Sequence, residues 1–244
     1  MKIQVLDHGY VELVEAWGAG KHSENSYGYD KEIGIVEAAR QSTQGSFRGW
    51  EKDEKLLKHL FLSEPQHATP FEFAGMVIEV QAPIFVFREW HRHRTQSYNE
   101  MSARYAPLPD LHYLPEIERC RVGDDHSTAR NRQAQGTVAR VPTDEEISGW
   151  LELLDSLYGD SETCYQRGLE LGIPKEVARL ANVVARYSKM RASANLRNWL
   201  AFLHLRMDPR AQQEIRLYAE AVAQIVQTTF PHVWNLYTQK YTVT

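Results

Sequence analysis

The spacing of apolar residues changes along this chain, and this change constrains the fold more than any other feature of the sequence. Apolar and polar residues alternate over residues 3–17, and residues 71–80 are rich in β-forming side chains, so both segments are predicted to be strands. Residues 30–40 and 53–62 have the spacing of about 3.6 residues that is typical of helices. These segments do not follow the repeated β-α-β order of a doubly wound sheet. The sequence therefore predicts an α+β fold.

Several helix boundaries are also marked. Thr143 to Glu146 form a capping box, which predicts that a helix starts there. Gly172 predicts the end of a helix, and Pro83 and Pro174 each predict the start of another. Asn195 is placed to cap a helix that runs through Arg206. Two amphipathic helical faces are predicted, and their members are Ile147, Trp150, Leu151, Leu154, Leu157 and Tyr158 in the first and Ile215, Tyr218, Val222 and Ile225 in the second.

Composition excludes several classes of protein. The 244 residues carry a formal net charge of −4, which does not favour non-specific nucleic-acid binding. No apolar stretch approaches the roughly 20 residues of a membrane-spanning helix, so no membrane association is expected. Cys120 and Cys164 are far apart and outside any CxxC pattern, which predicts reduced thiols in a cytoplasmic protein. The chain shows no domain boundary, but residues 107–142 are predicted to be loop-like.

The densest chemistry lies in residues 88–105, where four arginines and two histidines occur among hydroxyl and amide side chains. One interpretation is a solvated charged surface. A second is a phosphate- or nucleotide-binding site, because the planar guanidinium matches phosphate oxygens and the polar edge of uracil. A zinc site formed by His67, His91 and His93 is the third, although no cysteine and no HExxH pattern supports it.

Several motifs resemble those of the flavin-dependent thymidylate synthases. The Arg92-His93-Arg94 triplet is followed, after seven residues, by Ser102, as in the signature of that family. The order and spacing of further elements are also similar, and these are Ala39-Arg40-Gln41-Ser42, His67-Ala68-Thr69-Pro70-Phe71-Glu72, Ala82-Pro83-Ile84-Phe85-Val86, Glu176-Val177-Ala178-Arg179, Asn195-Leu196-Arg197 and Leu203-His204-Leu205-Arg206. Together they cover roughly residues 30–225.

The resemblance implies a single catalytic domain over residues 1–244, with a mixed, mainly antiparallel sheet, surrounding helices and a loop insertion at about 115–142. It implies FAD as the cofactor, NADPH and 5,10-methylenetetrahydrofolate as co-substrates, and dUMP as the substrate. A homotetramer with active sites at the subunit interfaces is also expected. The reaction would be the reductive methylation of dUMP to dTMP, and no metal is expected.

Site residues follow from the same match, position by position. The implied flavin contacts are Ser42, Thr69, Glu72, Arg92, His93, Arg94, Glu100, Asn195 and Arg197. The implied dUMP contacts are Glu89, Arg92, Glu100, Ser102, Ala103, Arg104, Arg179 and Arg206. Arg206 would stabilise negative charge on the uracil during the reaction, and His67 would border the flavin and the folate; both are therefore candidate catalytic residues. Ser102 is interpreted as a substrate ligand, since no Asp/His pair is evident to activate it as a nucleophile.

Three positions depart from the family pattern. Phe73 stands where a second histidine is frequent, Glu89 where glutamine is frequent, and Arg210 where histidine sometimes occurs. A C5-methylase acting on UMP or a related pyrimidine nucleotide is the alternative function within the same chemistry. An arginine-rich nucleic-acid-binding module is the alternative from another class, and the negative net charge argues against it.

Overall fold

The computed structural model describes residues 1–21, 30–121 and 142–241. In this part of the chain, five strands form one antiparallel sheet in the order β1-β2-β3-β5-β4. The α+β fold class is thereby confirmed. The strands are β1 (Lys2–Val5), β2 (Gly9–Trp17), β3 (Gly75–Pro83), β4 (Ser97–Glu100) and β5 (Tyr187–Asn195).

Helices cover one face of this sheet and connect its strands. They are α1 (Ile33–Arg40), α2 (Trp50–Leu62), α3 (Ile84–Trp90), α4 (Ile117–Arg121), α5 (Asp144–Glu170), α6 (Lys175–Ala178), α7 (Leu196–Arg206), α8 (Gln213–Thr229) and α9 (Pro231–Tyr241). None of the described helices is both long enough and apolar enough to cross a membrane.

The core lies between the central strands and helices α7 and α8. Met76, Ile78 and Val80 alternate along β3 and are fully buried, because side chains at every second position of a strand point to the same face. Trp199 of α7 is buried over this face and donates its indole N–H to the carbonyl of Met76 at 3.1 Å. Strands β3 and β5 are therefore the rigid base from which α3 and α7 project.

Two strand predictions need correction. Residues 3–17 form a hairpin rather than one strand, since the chain reverses at Leu6, which has a left-handed φ of 57°. β3 begins at Gly75 and not at residue 71, because Thr69–Phe73 forms a 3₁₀ helix. Strands β4 and β5 and helix α9 were not predicted.

The predicted helix boundaries are largely confirmed. The Thr143–Glu146 capping box has both of its hydrogen bonds, Gly172 has a φ of +75°, and the Asn195 side chain accepts the N–H of Asn198 at 3.0 Å. Pro83 and Pro174 each immediately precede a helix, at its N-cap. The α8 face that contains Ile215, Tyr218, Val222 and Ile225 is fully buried.

The predicted loop at residues 107–142 is partly helical, because α4 occupies Ile117–Arg121. Residues 122–141 of this predicted insertion lie outside the described residues. The face predicted for α5 is only partly buried. Ile147 and Tyr158 are inside, whereas Trp150 and Leu157 are half exposed.

Candidate functional site

Buried aromatic side chains support the turn that follows α3 and carries Arg92, His93 and Arg94. Trp90 is fully buried, stacks on Phe202 of α7, and donates its indole N–H to Gln96 at 3.1 Å. The hydroxyl of Tyr98 is within hydrogen-bond distance of the carbonyls of Trp90 (3.1 Å) and His93 (2.8 Å). These contacts of Trp90 and Tyr98 hold the turn between α3 and β4 in place, whereas the arginines of this turn are exposed.

Arg206, at the end of α7, lies directly against this turn. Its Nη1 donates to the Glu89 carboxylate at 3.0 Å, its Nη2 to the Glu89 carbonyl at 2.8 Å, and its Nε to Nε2 of His93 at 2.8 Å. The Arg206 side chain is only 16% exposed. A guanidinium has five N–H groups, so one on each Nη remains for another partner.

The electrostatics of His93 follow from this contact. Burial, and next the positive charge of Arg206, lower the pKa of His93 from 6.5 to about 4, against a smaller opposing effect of Glu89. His93 is therefore neutral near pH 7 and accepts the Arg206 hydrogen bond through Nε2, with its own proton on Nδ1. The edge of its ring meets Phe202 at a centroid distance of 4.9 Å.

Arg92 and Arg94 flank His93 and differ from Arg206 in their surroundings. Both are exposed, and within the described residues neither guanidinium has an ion-pair or hydrogen-bond partner. Two permanent cations on a fixed turn can bind an anionic or polar ligand without first breaking an internal pair.

Other predicted flavin contacts meet where β5 enters α7. Glu72, in the 3₁₀ helix before β3, forms an ion pair with Arg197 at 2.5 Å. Asn195 caps α7, and Asn198 in the first turn of α7 donates to the carbonyl of Thr95 at 3.3 Å. This bond connects the N-terminus of α7 to the turn between α3 and β4. An anion bound at this turn would therefore also face the positive end of the α7 helix dipole.

The predicted phosphate contacts form a second group, where the turn after β4 meets α6. Ser102 Oγ accepts the backbone N–H of Arg104 at 3.3 Å, and Ala103 between them is buried. Nε of Arg104 lies 3.0 Å from the Glu176 carboxylate, and Arg179 donates its Nε to the Glu176 carbonyl at 3.3 Å. The structure therefore brings Ser102, Ala103, Arg104 and Arg179 together, and their role as phosphate contacts stays a prediction.

Arg186 supports this second group from inside the protein, and sequence reasoning missed it. Its side chain is completely buried and donates to the carbonyls of Leu108 and Pro109 at 2.9 and 3.0 Å. It also bonds Asn182 at 2.9 Å and forms an ion pair with Glu162 of α5. One guanidinium thus binds both the segment that follows Arg104 and the segment that follows Arg179. The sequence did not indicate this role, because Arg186 is a single arginine outside any motif and the strand after it was not predicted.

Three predicted residues are less closely connected to these groups. His67 is exposed and lies near His59 of α2, with the two rings tilted by 31° and 5.5 Å between their centroids. Ser42 donates its hydroxyl to the carbonyl of Ala39, at the end of α1. Glu100 accepts the hydroxyl of Ser188 at 2.9 Å. None of these contacts joins the residue to Arg206 within the described chain, so their site roles stay predictions.

The zinc alternative gains no geometric support. His91 lies against Phe87 and Tyr98, whereas His93 turns toward Phe202 and Arg206. Among residues 1–21, 30–121 and 142–241, no group of three or more His, Cys, Asp and Glu side chains is arranged to hold a metal ion.

Comparison with known proteins identifies the family. The model of the family described as "Thymidylate synthase complementing protein" matches residues 26–232. A flavin-dependent thymidylate synthase of Wolbachia pipientis wMel is 34% identical over 239 residues, which are 97% of this chain and 76% of the relative. The enzyme of the same name from Thermotoga neapolitana is 34% identical over 237 residues, 97% of this chain and 94% of the relative.

A solved structure shows the same fold. The UMP/dUMP methylase PolB from Streptomyces cacaoi, bound with 5-Br dUMP, superposes with a TM-score of 0.78 at 29% identity, and 97% of each chain is covered. A second structure of PolB contains 5-Br UMP and has a TM-score of 0.77.

These matches and the site define the chain as an enzyme of the methyltransferase class. It belongs to the flavin-dependent thymidylate synthase family.

Proposed function

We propose that the chain methylates dUMP at uracil C5 to form dTMP, as a flavin-dependent thymidylate synthase. Methylenetetrahydrofolate would provide the carbon, and a bound FAD would supply the hydride that it receives from NADPH. The names of the relatives support this reaction. The observation that carries the proposal is the largely buried Arg206, which Glu89 and His93 hold in place with two N–H groups unused.

Arg206 has the chemistry that attack by uracil C5 requires. As C5 becomes nucleophilic, negative charge moves onto O2, N3 and O4 of the ring, and fixed donors at that edge lower the barrier. Neutral His93, the Glu89 carbonyl and the Glu89 carboxylate together fix the guanidinium plane. Because the side chain is already held, little reorganisation is needed when the transition state forms.

The second group of residues suits the 5′-phosphate of the nucleotide. Arg104 and Arg179 offer guanidinium donors, and Ser102 offers a hydroxyl on the same turn. Arginine pairs with phosphate through parallel N–H groups, which orients the ligand as well as binding it. We assign Ser102, Ala103, Arg104 and Arg179 to this role, with Glu89, Arg92 and Glu100 as further nucleotide contacts.

The described residues also fit FAD. Arg92 and Arg94 are exposed cations without partners, and the Asn195-capped N-terminus of α7 attracts anions such as a diphosphate. Thr69, Glu72 and Arg197 lie beside that helix end and supply donors and acceptors for the rest of the cofactor. We assign these residues, with His93, Glu100 and Ser42, to flavin binding, and His67 to the border of flavin and folate.

UMP is the competing substrate, because the structural neighbour PolB is named a UMP/dUMP methylase. One oxygen of Glu89 is bonded to Arg206, which leaves the other free for a ribose hydroxyl. A bond to the 3′-hydroxyl would serve both nucleotides, whereas a bond to the 2′-hydroxyl would select UMP steeply. We propose the first case. Comparison of kcat/KM for dUMP and UMP decides it, and a UMP value equal to or above the dUMP value would overturn it.

We further propose a homotetramer with active sites at its subunit interfaces. Trp150, Leu153 and Leu157 of α5 are 50%, 72% and 53% exposed, and Leu180 is 81% exposed. Large apolar side chains exposed in this way are typical of surfaces that pair with another subunit. Light scattering of the purified protein should give four times the 28.2 kDa chain mass; a monomer would contradict the proposal.

Flavin chemistry provides the first test of the reaction. The purified protein should be yellow, and NADPH should bleach its flavin absorbance under anaerobic conditions. A colourless protein that binds oligonucleotides instead would contradict the proposal and favour the nucleic-acid-binding alternative.

A further inference from the structure

Glu176 contacts both arginines assigned to the nucleotide phosphate, Arg104 through its carboxylate and Arg179 through its backbone carbonyl. It lies in α6, next to Lys175, whose ammonium donates to the carbonyl of Tyr105 at 3.0 Å. Its carboxylate lies 3.0 Å from Nε of Arg104, and its backbone carbonyl accepts Nε of Arg179 at 3.3 Å. Two neighbouring residues of α6 thus hold the turn that follows Ser102.

These contacts determine which N–H groups of the two arginines remain available to bind a phosphate. Each arginine is held through Nε, on the inner edge of its guanidinium. Among the described residues, no partner occupies the terminal Nη atoms of Arg104 or of Arg179. These terminal N–H groups form the fork that pairs with phosphate oxygens.

On the basis of the function proposed above, we propose that Glu176 is a positioning residue for nucleotide binding, whose carboxylate fixes the Arg104 guanidinium with its Nη atoms presented to the 5′-phosphate. Arg179 is held by the backbone carbonyl of the same residue, which a side-chain substitution leaves in place. Glu176 does not touch the reacting atoms. Its contribution is to reduce the rotational freedom that Arg104, a 55% exposed side chain, would otherwise lose when the phosphate binds.

Simple charge repulsion makes the opposite prediction. A carboxylate close to a phosphate repels it, so removal of that charge alone should tighten binding. A positioning role instead predicts weaker binding when the charge is removed, because the ion pair that orients Arg104 is lost. Glu176→Gln removes the charge and keeps the size of the side chain, whereas Glu176→Ala removes both, so repulsion predicts tighter dUMP binding by each variant and positioning predicts weaker binding by each.

The experiment compares both variants with wild type by calorimetric titration with dUMP and with deoxyuridine, which lacks the phosphate. Glu170→Ala is the matched control, because Glu170 forms an exposed ion pair with Arg167 on the neighbouring helix. Glu176→Ala should weaken dUMP binding by roughly 2- to 5-fold, the scale of an exposed ion pair. Glu176→Gln should weaken dUMP binding in the same direction, because the charge of the ion pair is lost, and neither change should affect deoxyuridine.

Other outcomes would overturn the inference. Tighter dUMP binding by Glu176→Ala would mean that the carboxylate only repels the phosphate. Equal weakening for dUMP and deoxyuridine would mean a structural effect on the whole site, as would a loss of the same size in Glu170→Ala. Binding is measured without turnover, so a wild type that binds dUMP but does not methylate it would contradict the proposed function and leave this test intact.

Discussion

The Glu89 carboxylate lies 3.0 Å from Nη1 of Arg206, and this ion pair joins the ends of two helices that β3 and β5 bring side by side. Glu89 belongs to α3, which follows β3, and Arg206 belongs to α7, which follows β5. Since the two strands are paired over their whole length, the positions of both helices are determined by the sheet. The Glu89–Arg206 pair therefore depends on the sheet, whereas Arg92, Arg94 and Ser102 lie on turns.

Arg206 should matter more for the chemical step than for substrate binding. Arg206→Ala should lower kcat for methyl transfer by roughly 10²-fold or more, because a fixed donor at the developing negative charge is lost. The rate of flavin reduction by NADPH should stay nearly unchanged, and stopped-flow spectroscopy separates the two half-reactions. Arg216→Ala, which removes a surface arginine bonded to the carbonyl of Pro209, is the control. Equal losses in both half-reactions would show that Arg206 is structural.

Flavin retention should depend on Arg92. Its exposed guanidinium has no partner among the described residues, so a bound flavin would provide its charge-assisted hydrogen bond. Arg92→Ala should weaken FAD affinity by roughly 10- to 150-fold, measured by fluorescence titration of the apoprotein. Arg88 is an exposed arginine one turn earlier, on α3, and Arg88→Ala should retain FAD. An Arg92→Ala protein that purifies with its full flavin content would contradict this assignment.

His93 should make the folded protein sensitive to mild acid. Its pKa is lowered to about 4 in the native state, so the unfolded chain binds a proton more readily below pH 6.5. The stability associated with neutral His93 is present above pH 6.5 and is lost as the pH falls toward 4. The free energy of unfolding, measured with urea at pH 7 and at pH 5, should decrease less for His93→Gln than for wild type. Identical decreases would mean that His93 titrates normally.

Neither cysteine should be required for turnover. Cys164 is exposed on α5, and Cys120 lies on α4, where burial raises the pKa of its thiol. A nucleophilic cysteine instead needs a lowered pKa. The Cys120→Ser/Cys164→Ser double variant should keep most of its activity in a steady-state assay of dTMP formation. Loss of turnover with fold and flavin intact would contradict a hydride mechanism without a thiolate.

Local sequence signals were sufficient to predict where several helices begin and end. The capping box at Thr143, the positive φ of Gly172 and the Asn195 cap depend on a few neighbouring residues, and each was predicted from the sequence. The buried face of α8 followed from helical spacing in the same way. These features need no knowledge of distant contacts.

Tertiary contacts determined what the sequence did not predict. β4 is a four-residue edge strand of polar side chains, and β5 mixes small and charged residues and contains no Val, Ile or Thr, so neither has strong β-propensity. Both become strands because β3 offers a pairing edge to β5, and β5 one to β4. The roles of Arg186 and Glu176 likewise depend on partners up to about 78 positions away in sequence.

The most direct test of the proposed function is product analysis after one turnover. The flavoprotein is reduced with NADPH in the absence of oxygen and then mixed with dUMP and methylenetetrahydrofolate, and nucleotides and folates are separated by chromatography. We expect dTMP and tetrahydrofolate in equal amounts, with the flavin reoxidised. Unchanged dUMP, or dTMP accompanied by dihydrofolate, would contradict the proposal that the flavin supplies the hydride.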